Sequence, residues 1–194
     1  NDVLMSQGSR VIRECIEAAE AFPIKSLFSL AAYEAEIWTL YDGGRARGAS
    51  VGWKTLDPHY TVRPGDLTVV TGYASSGKSE FVDAIMVNLA MAHDWRFAVC
   101  SFENPVAEHF AKLAQKHLGQ PFHDGPSPRM GRDDAAKAMM WVDYHFVFIR
   151  GEDESPTIDW ILDTARSAVR RHGIKGLVID PYNEIEHSRP AGMT

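Results

Sequence analysis

Apolar residues at positions 11, 12, 15, 16 and 19 recur at the spacing of one helical face. They predict an amphipathic helix over residues 9–22, ended by Pro23. A second helix is expected over 30–42, with Tyr33, Ile37, Leu40 and Tyr41 on one side. The glycine-rich, basic run 43–52 reads as a linker or loop. From Trp53 onward the pattern alternates between short β-rich runs and helical stretches. Strands are expected over 66–72 (DLTVVTG), 96–102 (RFAVCSF), 145–149 (HFVFI) and 176–180 (GLVID). Helices are expected over 79–93, 104–119, 133–144 and 157–173. Proline or threonine stands near the start of two of them, and Gly119 and Gly173 stand at their ends. Such alternation implies an α/β fold, a mostly parallel sheet with helices on both faces. Two parts are expected: an N-terminal helical arm over 1–50 and an α/β domain over 51–194. As an element of the fold, the arm reads equally well as a flank of that domain or as a subunit-contacting segment.

The stretch 72–79, Gly-Tyr-Ala-Ser-Ser-Gly-Lys-Ser, lies between a predicted strand and a predicted helix. This is the G-x-x-x-x-G-K-S spacing of a phosphate-binding P-loop (Walker A), met in its confirming context. Its glycines let successive backbone N–H groups turn inward around a phosphate. Lys78 supplies a point charge for the β- and γ-phosphates, and the Ser79 hydroxyl suits Mg²⁺. The helix begins with its positive end at the same place. Gly72, Tyr73, Ala74, Ser75, Ser76, Gly77, Lys78, Ser79 and Glu80 are therefore the candidate residues for nucleotide. The plain alternative is a glycine-rich turn with an exposed lysine.

A site of this kind needs a second oxygen ligand for magnesium, and Asp180 ends the run GLVID (Walker B). It needs a group to orient or deprotonate water, and Glu103 follows the run RFAVCSF at the carboxyl edge of the sheet, where open α/β sheets bind ligands. Capping of the next turn or helix is the structural alternative for each. Lys78 and Glu103 are thus the candidate catalytic residues, and Ser79 and Asp180 the candidate metal ligands.

With those residues in that order, the chain resembles the ATPase domain of the DnaB-like replicative helicases, which have the RecA-type fold, and among them the Twinkle and phage primase-helicase branch. The resemblance rests on 52–90, 101–122 and 176–190, above all on GW..LD..Y.V.PG before the loop and on SFENP, and covers about residues 23–190. It implies ATP and Mg²⁺ as cofactors, single-stranded DNA as a partner, and a homo-oligomer, usually a hexameric ring, with nucleotide between subunits. It also implies a primase domain or primase partner in some members. Residues 1–50 would match the linker that packs on a neighbouring ring member. Ala74 and Ser75 stand where these helicases often have proline and glycine. The chain starts at Asn1 without an initiator methionine and ends soon after Asp180, so it reads as a piece of a longer protein, truncated after the Walker B strand. The family's DNA loops, sensor residue and arginine finger have no counterpart in it. Two other readings stay open: a recombination ATPase of the same core, and a nucleotide-gated ring or loader that unwinds nothing. An arginine-rich lid, which a small-molecule kinase needs, is missing.

A net charge of −6 argues against a surface that coats nucleic acid nonspecifically. Cys15 and Cys100 are far apart and have no metal spacing; Cys100 lies in an apolar run and reads as a buried free thiol. A reducing setting is expected: the cytoplasm or nucleoid, an organelle matrix, or an infected host cell. No run approaches the roughly 18 apolar residues of a membrane span. Trp53 and Tyr60 suit packing better than a base. Tyr182, Asn183 and Glu184 either face the phosphates or a neighbouring subunit, or form a turn. Arg166, Arg170 and Arg171 sit late in a helix, where its dipole favours cations.

Overall fold

A computed structural model describes residues 2–19, 28–44, 46–102, 104–151 and 157–185. The chain divides into two compact units, Asn1–Ala46 and Arg47–Thr194.

In the first unit, α1 spans Asp2–Glu17. It starts and stops earlier than the apolar spacing predicts, because periodicity marks a helical face and not its ends. Pro23 lies outside the described residues. A 3₁₀ turn, Leu30–Tyr33, leads into α2, Glu34–Gly43. Edge-to-face pairs join Phe28 to Tyr33 and Trp38 to Tyr41, with ring centroids 5.7 and 5.6 Å apart.

The second unit opens with a clasp. Ala49 and Val62 form an antiparallel bridge. The Asp57 carboxylate accepts from Ser50 Oγ at 2.6 Å and from the Val51 N–H at 2.9 Å. Asn88 Nδ2 donates to the Val51 carbonyl at 2.8 Å, which ties the clasp to α3, Lys78–His93. Then follow β1 (Phe97–Ser101), α4 (Val106–Leu118), α5 (Arg132–His145), β2 (Phe146–Phe148), α6 (Ile158–His172) and β3 (Gly176–Asp180). The sheet has the order β2-β1-β3, and both pairings are parallel.

β1 is buried on both faces, as a central parallel strand must be. Phe97 and Val99 pack with α3, α4 and α5 residues such as Met86, Leu113 and Val142. Ala98 and Cys100 point the other way, to Ile161 and Ala165 of α6. Helices therefore cover both faces, as the alternation of elements led us to expect. α6 carries its predicted signals: Thr157 Oγ1 accepts from the Trp160 N–H, and Gly173 ends the helix at φ +66°.

One expected strand does not form. Residues 66–72 form no β-ladder with any described residues, and Leu67 and Val69 are 91% and 78% exposed. The β-branched run supplies propensity, but a strand exists only as half of a ladder. The edge of β3 turned away from β1 likewise carries no strand among the described residues. The sheet is thus smaller than predicted. No described helix is long and apolar enough to cross a membrane.

The α4–α5 seam carries a titratable stack. His117 lies flat on Trp141, with centroids 3.8 Å apart, and its Nδ1 is buried without a partner among the described residues. Burial, and then the nearby His145, hold its pKa below the ordinary 6.5. An imidazole with a depressed folded pKa contributes stability above its unfolded pKa and loses it as pH falls. Urea unfolding should therefore show stability declining from about pH 7 toward about pH 5, and His117→Phe should flatten that decline.

Candidate functional site

The loop Gly72–Ser79 turns into α3 through two residues with positive φ, Ser75 at +57° and Gly77 at +85°. Gly77 is the N-cap, and its left-handed backbone is the conformation that glycine adopts most readily. Its carbonyl accepts from the Phe81 N–H at 2.9 Å, the first helical hydrogen bond. The N–H groups of Lys78, Ser79 and Glu80 precede that bond and have no intrahelical acceptor. A Cβ at Gly72 would stand 3.1 Å from Ser76 Oγ, a tight approach that the serine side chain would have to relieve by a few tenths of an ångström. Lys78 folds back over the loop, its Nζ donating to the carbonyls of Gly72 at 3.1 Å and Tyr73 at 2.8 Å. The ammonium thus lies at the loop's mouth beside free helical N–H groups, an arrangement suited to an anion. Tyr73 is 91% exposed.

The short turn Asp94–Arg96 reverses the chain between α3 and β1, so the first turn of α3 lies toward the edge where β1 ends. Asp180 ends β3 at that edge. Its register partner is Ser101. Val178, two residues earlier, packs in the core that α3 shares, whereas Leu177 and Ile179 pack in the other. Alternation along the strand therefore gives Asp180 the face that α3 covers. Ser79 and Asp180 offer hard oxygen donors, the kind Mg²⁺ takes. Among the described residues no three His, Cys, Asp or Glu side chains cluster as a metal site. Glu103 lies outside the described residues.

Glu80 is held by its neighbours. Lys116 of α4 forms a short ion pair with it, and Lys112 Nζ stands 3.4 Å from its other oxygen. The Lys116 hydrogen bond, foremost, keeps its carboxyl below the usual range. Lys112 also donates to Asn104 Oδ1 at 3.2 Å. The Glu80 side chain therefore turns to α4, and only its backbone N–H belongs to the loop's donor row.

Sequence reasoning missed a second tie between the same helices. Asp83 Oδ1 and His109 Nε2 meet at 2.9 Å, and both residues are buried. The His109 ring also stands edge-on to Phe148 at 5.5 Å. The available signal was a carboxylate among apolar positions of α3, one turn beyond Ser79. Trp53 stacks on Phe81 at 5.5 Å, and the Tyr60 hydroxyl bonds Thr68 Oγ1 at 3.0 Å, so both serve packing here. Arg166 pairs with Asp163 of its own helix. Tyr182 and Asn183 are exposed on a 3₁₀ turn, Tyr182–Glu184. Cys100 is buried, and desolvation pushes its thiol up to about 11, which makes it inert.

Asp83→Ala strands a buried imidazole nitrogen and should cost about 1–3 kcal/mol in urea unfolding. Combined with His109→Ala it should cost less than the sum of the two single changes.

No protein-family model matches the chain. Over 201 aligned residues it is 47% identical to the Twinkle homolog protein, chloroplastic/mitochondrial, of Arabidopsis thaliana. The match takes in 100% of this chain and 28% of that relative, so the chain spans little more than a quarter of its length. The resemblance carried by the loop, SFENP and GLVID thus extends along the whole chain, which is similar throughout to one segment of that Twinkle homolog.

Proposed function

We propose that the chain carries the nucleotide-binding part of a replicative DNA helicase subunit, an ATPase of RecA type that works on single-stranded DNA within a homo-oligomeric, hexameric ring. The observation that carries this reading is the Gly72–Ser79 loop leading into α3, with Lys78 folded back over it. The relationship to the Twinkle homolog supports it, and an organellar setting like that in the relative's name goes with it.

The N–H groups at the start of α3 and the Lys78 ammonium would hold the phosphates of ATP. Ser79 and Asp180 would hold Mg²⁺, directly or through water. Bound Mg²⁺ would supply charge neutralisation to the phosphates. Lys78 exchanges its two carbonyl acceptors for phosphate oxygens and fixes them in line for attack. Glu103 accepts the proton of the attacking water as the new oxygen–phosphorus bond forms and ADP leaves. Segments 1–50 serve as the subunit-contacting arm, and 51–194 as the first part of the ATPase domain.

ATP hydrolysis by the full-length protein should rise with single-stranded DNA and fall at least about a hundredfold in Lys78→Ala and in Glu103→Gln. Glu103→Gln should still bind ATP. Hydrolysis that is absent, or indifferent to DNA while ATP binds, would replace the motor with a nucleotide-gated loader.

A further inference from the structure

The hydroxyl of Ser101 is buried and has no partner among the described residues. It is not an incidental core serine. Ser101 ends β1, the strand beside β3, and its register partner is Asp180. Phe97 and Val99, in the same alternating set, pack in the core that includes Ile85 and Met86 of α3; Phe102 packs in the opposite one. Ser101 and Asp180 therefore share a sheet face, on strands about 4.8 Å apart. The Phe102 N–H donates to the Asp180 carbonyl at 3.0 Å, so the two strand ends are tied together. A buried donor without an acceptor is costly, and a carboxylate is the strongest acceptor its place in the sheet provides.

We propose that Ser101 is a positioning residue of the phosphate site. In the nucleotide-bound state its Oγ–H donates to the Asp180 side chain, fixing the carboxylate's orientation toward the cation. This rests on the nucleotide and Mg²⁺ reading given above. A partner of this kind orients a ligating carboxylate without touching the metal, and losing one costs about 10–100-fold in metal affinity. The serine also leaves one acceptor direction of Asp180 for water or metal, because a hydroxyl gives a single hydrogen.

The test is binding rather than turnover. A fluorescent ATP analogue is titrated into full-length wild type and Ser101→Ala, with EDTA and across a Mg²⁺ series, and the thermal midpoint of each apoprotein is measured. The expected result is unchanged affinity in EDTA, at least about tenfold more Mg²⁺ for half-maximal tightening in the variant, and a midpoint that is equal or higher. The last follows because the substitution removes a buried hydroxyl that has no partner among the described residues. A merely structural serine would lower the midpoint and weaken binding equally with and without Mg²⁺. That result, or an unchanged Mg²⁺ series, overturns the proposal and leaves the nucleotide reading intact. Binding that Lys78→Ala does not weaken overturns both.

Discussion

The whole of the larger unit depends on β1 being shared. It is hydrogen-bonded on both edges and buried on both faces, so each of its side chains is assigned to one of two cores. Phe97 and Val99 anchor α3, α4 and α5, while Ala98 and Cys100 anchor α6. A slip of one residue would exchange the two sets and put Phe97 under α6. The same register decides chemistry, because it gives Ser101 and Asp180 to the face on which α3 begins. Packing at one end of the strand thus fixes which face the residues at its other end take.

A second constraint holds α3 itself. Its first turn carries Lys78 and Ser79, and the loop before it is only as well positioned as the helix. Three different contacts secure that helix. Asn88 reaches the clasp at Val51, the buried Asp83–His109 pair joins it to α4, and Glu80 meets Lys112 and Lys116. The buried pair is directional and shielded from water, so it sets orientation. The exposed pairs contribute less, since solvent screens them. Lys112 also reaches Asn104, which links the start of α3 to the segment that follows β1.

The parts legible in the sequence were those with local causes. The turn at Gly72–Ser79 into α3 could be read because glycine marks it, and Gly77 adopts positive φ at the helix N-cap; that it holds phosphate is the proposal made above. The ends of α4 and α6 could be read because Gly119 and Gly173 stop helices by backbone preference, and both adopt positive φ. The parts that stayed hidden have causes distant in the chain. Residues 66–72 have every local sign of a strand, yet no described strand pairs with them. Asp83 looks like any polar residue in a helix until His109 arrives from α4. Ser101 looks unremarkable until the register of GLVID against FAVCS sets it beside Asp180. The role of Glu103 rests on its sequence position, since it lies outside the described residues.

The central claim is that the Gly72–Ser79 loop takes the phosphates of a nucleotide. Its most direct test is hydrogen exchange of the backbone amides from Ser75 to Glu80, with and without saturating Mg²⁺-ATP. These amides have the phosphates as their expected acceptors, so exchange should slow there first and slow little in a Lys78→Ala protein. Unchanged exchange across this segment, with ATP demonstrably bound, would contradict the claim and move the nucleotide elsewhere.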